Sequence, residues 1–267
     1  MNRVAWTTDI HLEFLGDSAA IGRFCQSIAD TDPDTVLIGG DIAVAPSIGK
    51  SLLLLEKYLQ RPIYFVLGNH DFYNGSISQV RSAVTRLTRQ SPWLRWLSIS
   101  GIIELTPNTG LIGHDGLADG RLGNSVRSRV VLNDYLLIRE LKGLPKSERF
   151  AKLHSLGDKS ARYFKSHLPS AVTRFRNLLL LTHVPPFKEA CWHEGQISDD
   201  EFLPHFTCDA VGNVLIEIMQ NHPECNLTVL CGHTHSPGET TILPNLHVKT
   251  GGAAYGSPRL QELIIVD

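Results

Sequence analysis

The sequence has little cysteine and no arrangement of it. Cys25, Cys191, Cys208, Cys225 and Cys231 are odd in number and scattered, and none forms a C-x-x-C pair. This argues against a disulfide frame and for reduced thiols, as in a cytoplasmic protein. Long apolar runs are missing too. No segment approaches the roughly 18 uncharged apolar residues of a membrane span, and Met1 to Trp6 leads into Asp9 without an apolar signal region. A cytoplasmic location and no membrane contact are therefore expected. Neither sign of charge prevails. Lys and Arg total 25 against 27 Asp and Glu, so no general polyanion-binding surface is implied. Internal repeats and low-complexity tracts are absent.

What remains suits a single large domain. The 267 residues are 42% hydrophobic, enough for a sizeable core, and residues 1–267 read as one unit. Helical periodicity is expected over Ala19–Ala29, Lys50–Gln60, Ser76–Gln90 and Asp209–Gln220, with Asp17 or Ser18 as an N-cap. The stretch of about 124–176 is the least regular. It is rich in Arg and Lys, among them Lys152, Lys159 and Arg162. Helices are predicted there over Val130–Leu141 and Lys159–Asn177, a helical insertion read as a solvated pair of helices, with a positive lid near an anionic substrate as the alternative.

Histidines number twelve, and their placement matters more than their count. Val4–Thr8 reads as a strand and ends in Asp9-Ile10-His11. Asp34–Ile38 ends in Gly39-Gly40-Asp41. Ile63–Leu67 ends in Gly68-Asn69-His70-Asp71. Leu178–Thr182 ends in His183, and Leu227–Cys231 ends in Gly232-His233-Thr234-His235. Alternation along a strand would put Asp9 and His11 on one side, and likewise His233 and His235. Metal-binding side chains thus follow an apolar run five times.

As a set these are two carboxylates, one amide oxygen and four imidazoles: Asp9, His11, Asp41, Asn69, His183, His233 and His235. His70 is a further imidazole. Mixed nitrogen and oxygen donors suit Mn, Fe, Zn, Co or Ni more than Mg or Ca. Seven donors are too many for one tetrahedral ion. They suit two ions that share a carboxylate, about 3.5–4 Å apart as in two-metal hydrolytic sites.

The order Asp-x-His, Gly-Asp, Gly-Asn-His-Asp, a lone His and Gly-His-x-His resembles the calcineurin-like metallophosphoesterase superfamily. The resemblance spans Asp9 to His235. It implies an α/β fold, a four-layer αββα sandwich of two mixed β-sheets flanked by helices. It also implies a divalent or trivalent transition-metal pair. One ion would take Asp9, His11, Asp41 and His235, and the other Asp41, Asn69, His183 and His233. His70 would face the scissile phosphate as the catalytic residue. The activity implied is hydrolysis of a phosphomonoester or phosphodiester by a metal-bridging hydroxide, with His70 giving a proton to the leaving alkoxide.

One departure stands out. Protein phosphatases of that superfamily carry Gly-Asp-x-x-Asp, and Val44 occupies the place of the second Asp. This argues against a Ser/Thr protein phosphatase and leaves Asp71 or a backbone carbonyl to steady His70. A small phosphate ester is the expected partner. A nuclease is the alternative, against which net charge and Asp199-Asp200-Glu201 argue mildly. A scaffold that kept the fold and lost catalysis is the other, and no expected residue is missing. Loops Gly113–Gly123 and Phe187–Phe206 are the expected selectors of substrate. His114 is placed at the mouth of the site, while His154, His167, His193, His205, His222 and His247 are given surface or packing roles.

Overall fold

Side chains that alternate between two faces along the strands divide the molecule into layers. The computed structural model describes residues 1–267. In chain order the first part runs β1 (Asn2–Thr7), α1 (Ser18–Ala29), β2 (Thr35–Ile38), α2 (Ile48–Leu59), β3 (Ile63–Phe65), α3 (Ile77–Gln90), β4 (Leu94–Trp96), β5 (Ile103–Glu104) and β6 (Thr109–Gly113). The second part begins with α4 (Asp134–Leu137), α5 (Lys146–Arg174), β7 (Asn177–Leu181), β8 (Trp192–His193), β9 (Gln196–Ile197) and α6 (Leu203–Phe206). It closes with α7 (Asp209–Met219), β10 (Asn226–Cys231), β11 (Gly238–Leu243), β12 (Leu246–Thr250) and β13 (Glu262–Val266).

Two mixed sheets result. One has the order β13-β1-β2-β3-β4 and the other β11-β12-β10-β7-β6-β5. The central strands of each are parallel, and antiparallel strands close the edges at β13, β11 and β5. Parallel central strands are covered on both faces, and the side chains show by what. Ala5, Val36 and Ile38 pack with Phe24, Leu52 and Leu55 of α1 and α2. Their neighbours Val4, Trp6 and Leu37 point the other way, to Leu179, Leu181 and Leu230 of the second sheet. Leu178, Leu180 and Val229 in turn pack with Phe164 of α5 and Leu215 of α7. Helix, sheet, sheet, helix is thus written in the strand alternation, and the four-layer αββα sandwich is the fold.

Caps fall where the residues predict them. The Asp17 carboxylate accepts from Ala20 N at 2.7 Å, and Ser76 caps α3. All five cysteines are buried and unpaired. No helix is long and apolar enough to cross a membrane.

Residues 124–176 differ from their reading. The helix expected over Val130–Leu141 is a single turn, Asp134–Leu137. Leu132, Tyr135, Ile138 and Leu141 do recur at threes and do face the core. Beyond the turn, however, Ile138 bridges to Gly75, and Arg139 N donates to Gly75 O at 3.0 Å. Backbone pairing at long range thus replaces helix there. The second helix begins at Lys146 rather than Lys159. Its apolar stripe is thin at the start, and Gly157 breaks it. A Cβ at Gly157 would run into the Asp119 side chain, so this glycine serves close packing. Phe150 and Leu153 of α5 join the first core, while Phe164, Leu168 and Ala171 join the second. One helix therefore braces both halves of the sandwich.

Candidate metal centre

Parallel registers bring the strand ends level. Thr7 pairs with Ile38, Ile38 with Phe65, and Leu181 with Leu230. Open sheets place ligand sites at such carboxyl ends. All seven candidate donors lie just past them.

The backbone does not reach them as a strand. Alternation was expected to align Asp9 with His11, yet β1 stops at Thr7 and both residues are left-handed, with φ of 50° and 42°. Asp41, His233 and His235 are left-handed as well, at 49°, 71° and 59°. Non-glycine residues seldom adopt this region, and strain of about 1–3 kcal/mol each accumulates at functional sites. Hydrogen bonds across the loops sustain it. His11 N donates to Asp41 O at 2.9 Å, and His233 N to Asp9 Oδ1 at 3.0 Å. The glycines let side chains come close. A Cβ at Gly68 would collide with Asp41 Oδ1, and one at Gly232 with Asp9 Oδ2.

Donor atoms converge in two sets. In the first, Asp9, His11, Asp41 and His235 each offer an atom within 4.8 Å of the others. His235 Nε2 lies 3.0 Å from His11 Nε2 and 3.4 Å from Asp9 Oδ1, and Asp41 Oδ2 lies 3.9 Å from His11 Nε2. In the second, Asn69 Oδ1 is 2.9 Å from His183 Nε2 and 3.0 Å from His233 Nδ1. Asp41 Oδ1 is 3.4 Å from that same His183 Nε2. Asp41 alone serves both sets, one oxygen to each. Donors bound at about 2.0–2.1 Å to one ion stand roughly 2.8–3.4 Å from each other. The quoted distances match that spacing, apart from the 3.9 Å between Asp41 Oδ2 and His11 Nε2.

In the second set the far side of three donors is already spoken for. His183 Nδ1 donates to Gly39 O at 2.9 Å, and His233 Nε2 to His205 O at 3.1 Å. Asn69 Nδ2 donates to Asp134 Oδ1 at 2.9 Å and to Tyr73 Oη at 3.0 Å. The lone pairs of His183 Nε2, His233 Nδ1 and Asn69 Oδ1 are thereby turned on one point. Acceptors that face acceptors in a buried place ask for a cation. Burial lowers His183, but the charge and hydrogen bond of Asp41 outweigh it and push the ring up to about 10. Burial and His183 press His233 down to about 4. Burial raises Asp41, yet His183 and His70 hold it well below the carboxylate range.

His70 sits apart from both sets. Its ring stacks on Tyr73, centroids 4.2 Å apart, and meets His11 edge-on at 4.5 Å. Asp71, offered as its support, is occupied elsewhere. Its two oxygens accept from Ile42 N, Ala43 N and Gly68 N at 2.8–3.0 Å, tying the second loop to the third. The carboxylate beside His70 is instead Glu13, with Oε1 at 3.6 Å from His70 Nδ1 and 3.5 Å from His11 Nδ1. Burial pushes Glu13 up, but the two imidazoles outweigh it and hold the group down to about 2. Burial lowers His70, and Asp41 with Glu13 reverses this to a net rise.

A cavity of about 260 Å³ opens over this floor. Asp41, Asn69, His70, His233 and His235 line it from below, and Tyr73, Leu132, Asn133, Asp134, His193, Phe206 and Tyr255 form the wall. Several expectations change here. Phe187–Phe206 supplies two wall residues, including His193, which was read as a surface residue. Gly113–Gly123 supplies none. His114 is buried against Tyr163 and Phe164 instead of standing at the mouth. Asp115 beside it is a buried hub that takes hydrogen bonds from Leu67 N, Trp96 Nε1, Ser98 Oγ and Arg81 Nε at 2.7–3.0 Å. No Lys or Arg lines the cavity. Lys152, Lys159 and Arg162 flank a separate groove between α3 and α5, so these three form no positive lid over the cavity. Glu13, Tyr73, Asp134 and Tyr255 were missed in the sequence. Only Glu13 left a trace there, two residues after His11.

The comparisons with known proteins agree with this fold. The description of the calcineurin-like phosphoesterase family matches residues 2–237. Among proteins with curated descriptions, none matches the chain by sequence. A phosphopantetheinyl hydrolase from Mycobacterium tuberculosis has a similar structure, with a TM-score of 0.66 at 14% identity over 99% of this chain and 96% of its own. A dimetal phosphatase from Danio rerio gives 0.56 at 13% identity, over 94% and 87%. An anchor of the inner membrane complex of Plasmodium gives 0.50 at 12% identity, over 99% and 77%. At such identities the likeness is one of fold, and fold alone does not carry function.

Proposed function

The chain belongs to the calcineurin-like phosphoesterase family, metal-dependent phosphoric ester hydrolases, and from that premise we propose that it cleaves a phosphodiester in the cavity above Asn69 and His70. The observation that carries this reading is the pair of donor sets sharing Asp41, open on one side to a cavity that His70 also lines. Asp9, His11, Asp41 and His235 would hold one ion, and Asp41, Asn69, His183 and His233 the other. Two transition ions, when bound, supply Lewis acidity and lower the pKa of water enough to give a nucleophile near neutral pH.

The remaining chemistry falls to the chain itself. His70 Nδ1 faces Glu13, which leaves Nε2 for the substrate. Asp41 and Glu13 raise the pKa of His70 and so favour its protonated form, from which Nε2 would give a proton to a departing alkoxide. Tyr73, stacked beneath, prevents the ring from turning away. Tyr255, His193 and Phe206 narrow the opening and exclude water around the ester.

Charge favours the diester. A diester carries one negative charge, while a monoester carries close to two at neutral pH. The wall offers Asp134 and no Lys or Arg, which suits the smaller charge and disfavours a nucleic-acid backbone. The test is hydrolysis by protein reconstituted with Mn, on a panel of p-nitrophenyl phosphate, bis-p-nitrophenyl phosphate, cyclic nucleotides and single-stranded DNA. The name of one structural relative adds a phosphopantetheinyl ester to it. Bis-p-nitrophenyl phosphate is expected to exceed the monoester at least about tenfold in kcat/KM, a difference of about 1.4 kcal/mol. Preference for the monoester would reject the diester reading, and DNA cleavage would restore the nuclease.

A further inference from the structure

We propose that Glu13 is the positioning residue for His70 and, through the same carboxylate oxygen, for His11. The proposal rests on the reading of His70 as proton donor. It starts from an absence. Val44 stands where an orienting carboxylate is expected, and Asp71 has both oxygens committed to backbone N–H groups. Without an orienting carboxylate the His70 ring would keep only aromatic contacts, among them its stack on Tyr73 and its edge-on approach to His11.

Glu13 fills that place from a different loop. It lies in the short turn Leu12–Phe14 that follows His11. Its side chain is 14% exposed, and neither carboxylate oxygen has a hydrogen-bond partner. A buried carboxylate without donors costs stability, so its retention calls for a reason. The polar atoms nearest Oε1 are two ring nitrogens, His11 Nδ1 at 3.5 Å and His70 Nδ1 at 3.6 Å. Both rings turn the same nitrogen to Glu13. Both therefore aim Nε2 the other way, His11 toward the first donor set and His70 toward the cavity. A carboxylate behind a metal-binding histidine fixes its tautomer and raises its basicity. Here one oxygen would do so for a ligand and for the proton donor together, which binds the geometry of the proton transfer to that of the metal.

The experiment compares wild type with Glu13→Ala and Glu13→Gln, the latter in case the former fails to fold. The first readout needs no catalysis. On zinc-loaded protein, ring ¹⁵N shifts of neutral His70 are expected to report the Nδ1–H tautomer in wild type and a mixture in Glu13→Ala. Zinc affinity should fall about 10–100-fold, the usual effect of losing an outer-shell partner. The second readout is turnover. Glu13→Ala should lose about 10–100-fold in kcat on an alkyl diester, with KM unchanged and little loss on bis-p-nitrophenyl phosphate. In a His70→Asn background the same change should add no further loss on the alkyl ester. An unchanged tautomer, or equal and additive losses on both esters, would overturn the proposal. A wild type that binds zinc and shows the tautomer, yet cleaves no ester, would remove the functional reading and leave the positioning role supported.

Discussion

The floor and the wall of the cavity are built on opposite principles. The floor consists of seven donors on five strand ends, five of them left-handed, nearly all buried and locked by hydrogen bonds between loops. The wall comes from Leu132–Asp134, His193, Phe206 and Tyr255, residues of ordinary chemistry on segments with little regular structure. A floor that must hold two cations tolerates few residue types and needs strained backbone to aim them. A wall that selects among esters needs only shape. On the proposed function, chemistry would rest on this floor and selectivity on loops that can vary without disturbing it.

The largest effect should come from the residue at the centre of the floor. Asp41→Asn is expected to lower metal content from two ions per chain and to reduce kcat/KM on every ester by more than about 10³-fold. Elemental analysis alongside turnover checks it. A variant that retains both ions would break the idea of a shared carboxylate.

His70→Asn comes next and separates floor from substrate. Metal content should be unchanged, while kcat on an alkyl ester falls by the roughly 10²–10⁴-fold typical of general acid catalysis. A p-nitrophenolate leaves without a proton, so the loss there should be small. Equal losses would mean that His70 stabilises the phosphoryl oxygens. Loss of an ion would make it a ligand.

Asp134 belongs to the wall yet reaches the floor, since it accepts from Asn69 Nδ2 and from Tyr73 Oη at 2.6 Å. Asp134→Ala should free the Asn69 amide and weaken one of the two ions by about 10–100-fold, as titration calorimetry would show. Full metal affinity in this variant would confine Asp134 to the wall. The smallest change is expected from Phe206→Ala. Its ring meets His233 edge-on at 5.2 Å, and its removal should shift KM several-fold while metal content stays the same. That outcome would sharpen the comparison, whereas loss of an ion would erase it.

Legibility in the sequence follows the same division. The helices α1, α2, α3 and α7 show in their periodicity because each lays one apolar face on a sheet. The start of α5 does not, because Gly157 answers to Asp119 across the fold rather than to its own helix. The donors stand out because few residue types bind metals and each cluster follows an apolar run, three of the five clusters directly after glycine. Glu13 was passed over because a glutamate beside a strand end is common, and only space brings it against His70. His114 misled for the converse reason. It follows an apolar run as the donors do, but the loop after it turns into the core, where Asp115 gathers four donors.

By itself the sequence determined the alternation that stacks two sheets between helices, and the kinds of atom available to a metal, since both depend on residue type and spacing along the chain. Tertiary structure alone decided which oxygen of Asp41 meets which donor set, that Asp71 serves the backbone while Glu13 lies beside two histidines, and that Lys152, Lys159 and Arg162 lie away from the cavity. The reason is physical. Hydrogen bonds and ion pairs act over about 3–4 Å, and the residues that meet at this site, Asp9 and His233 or Asn69 and Asp134, are separated by 224 and 65 positions in the chain.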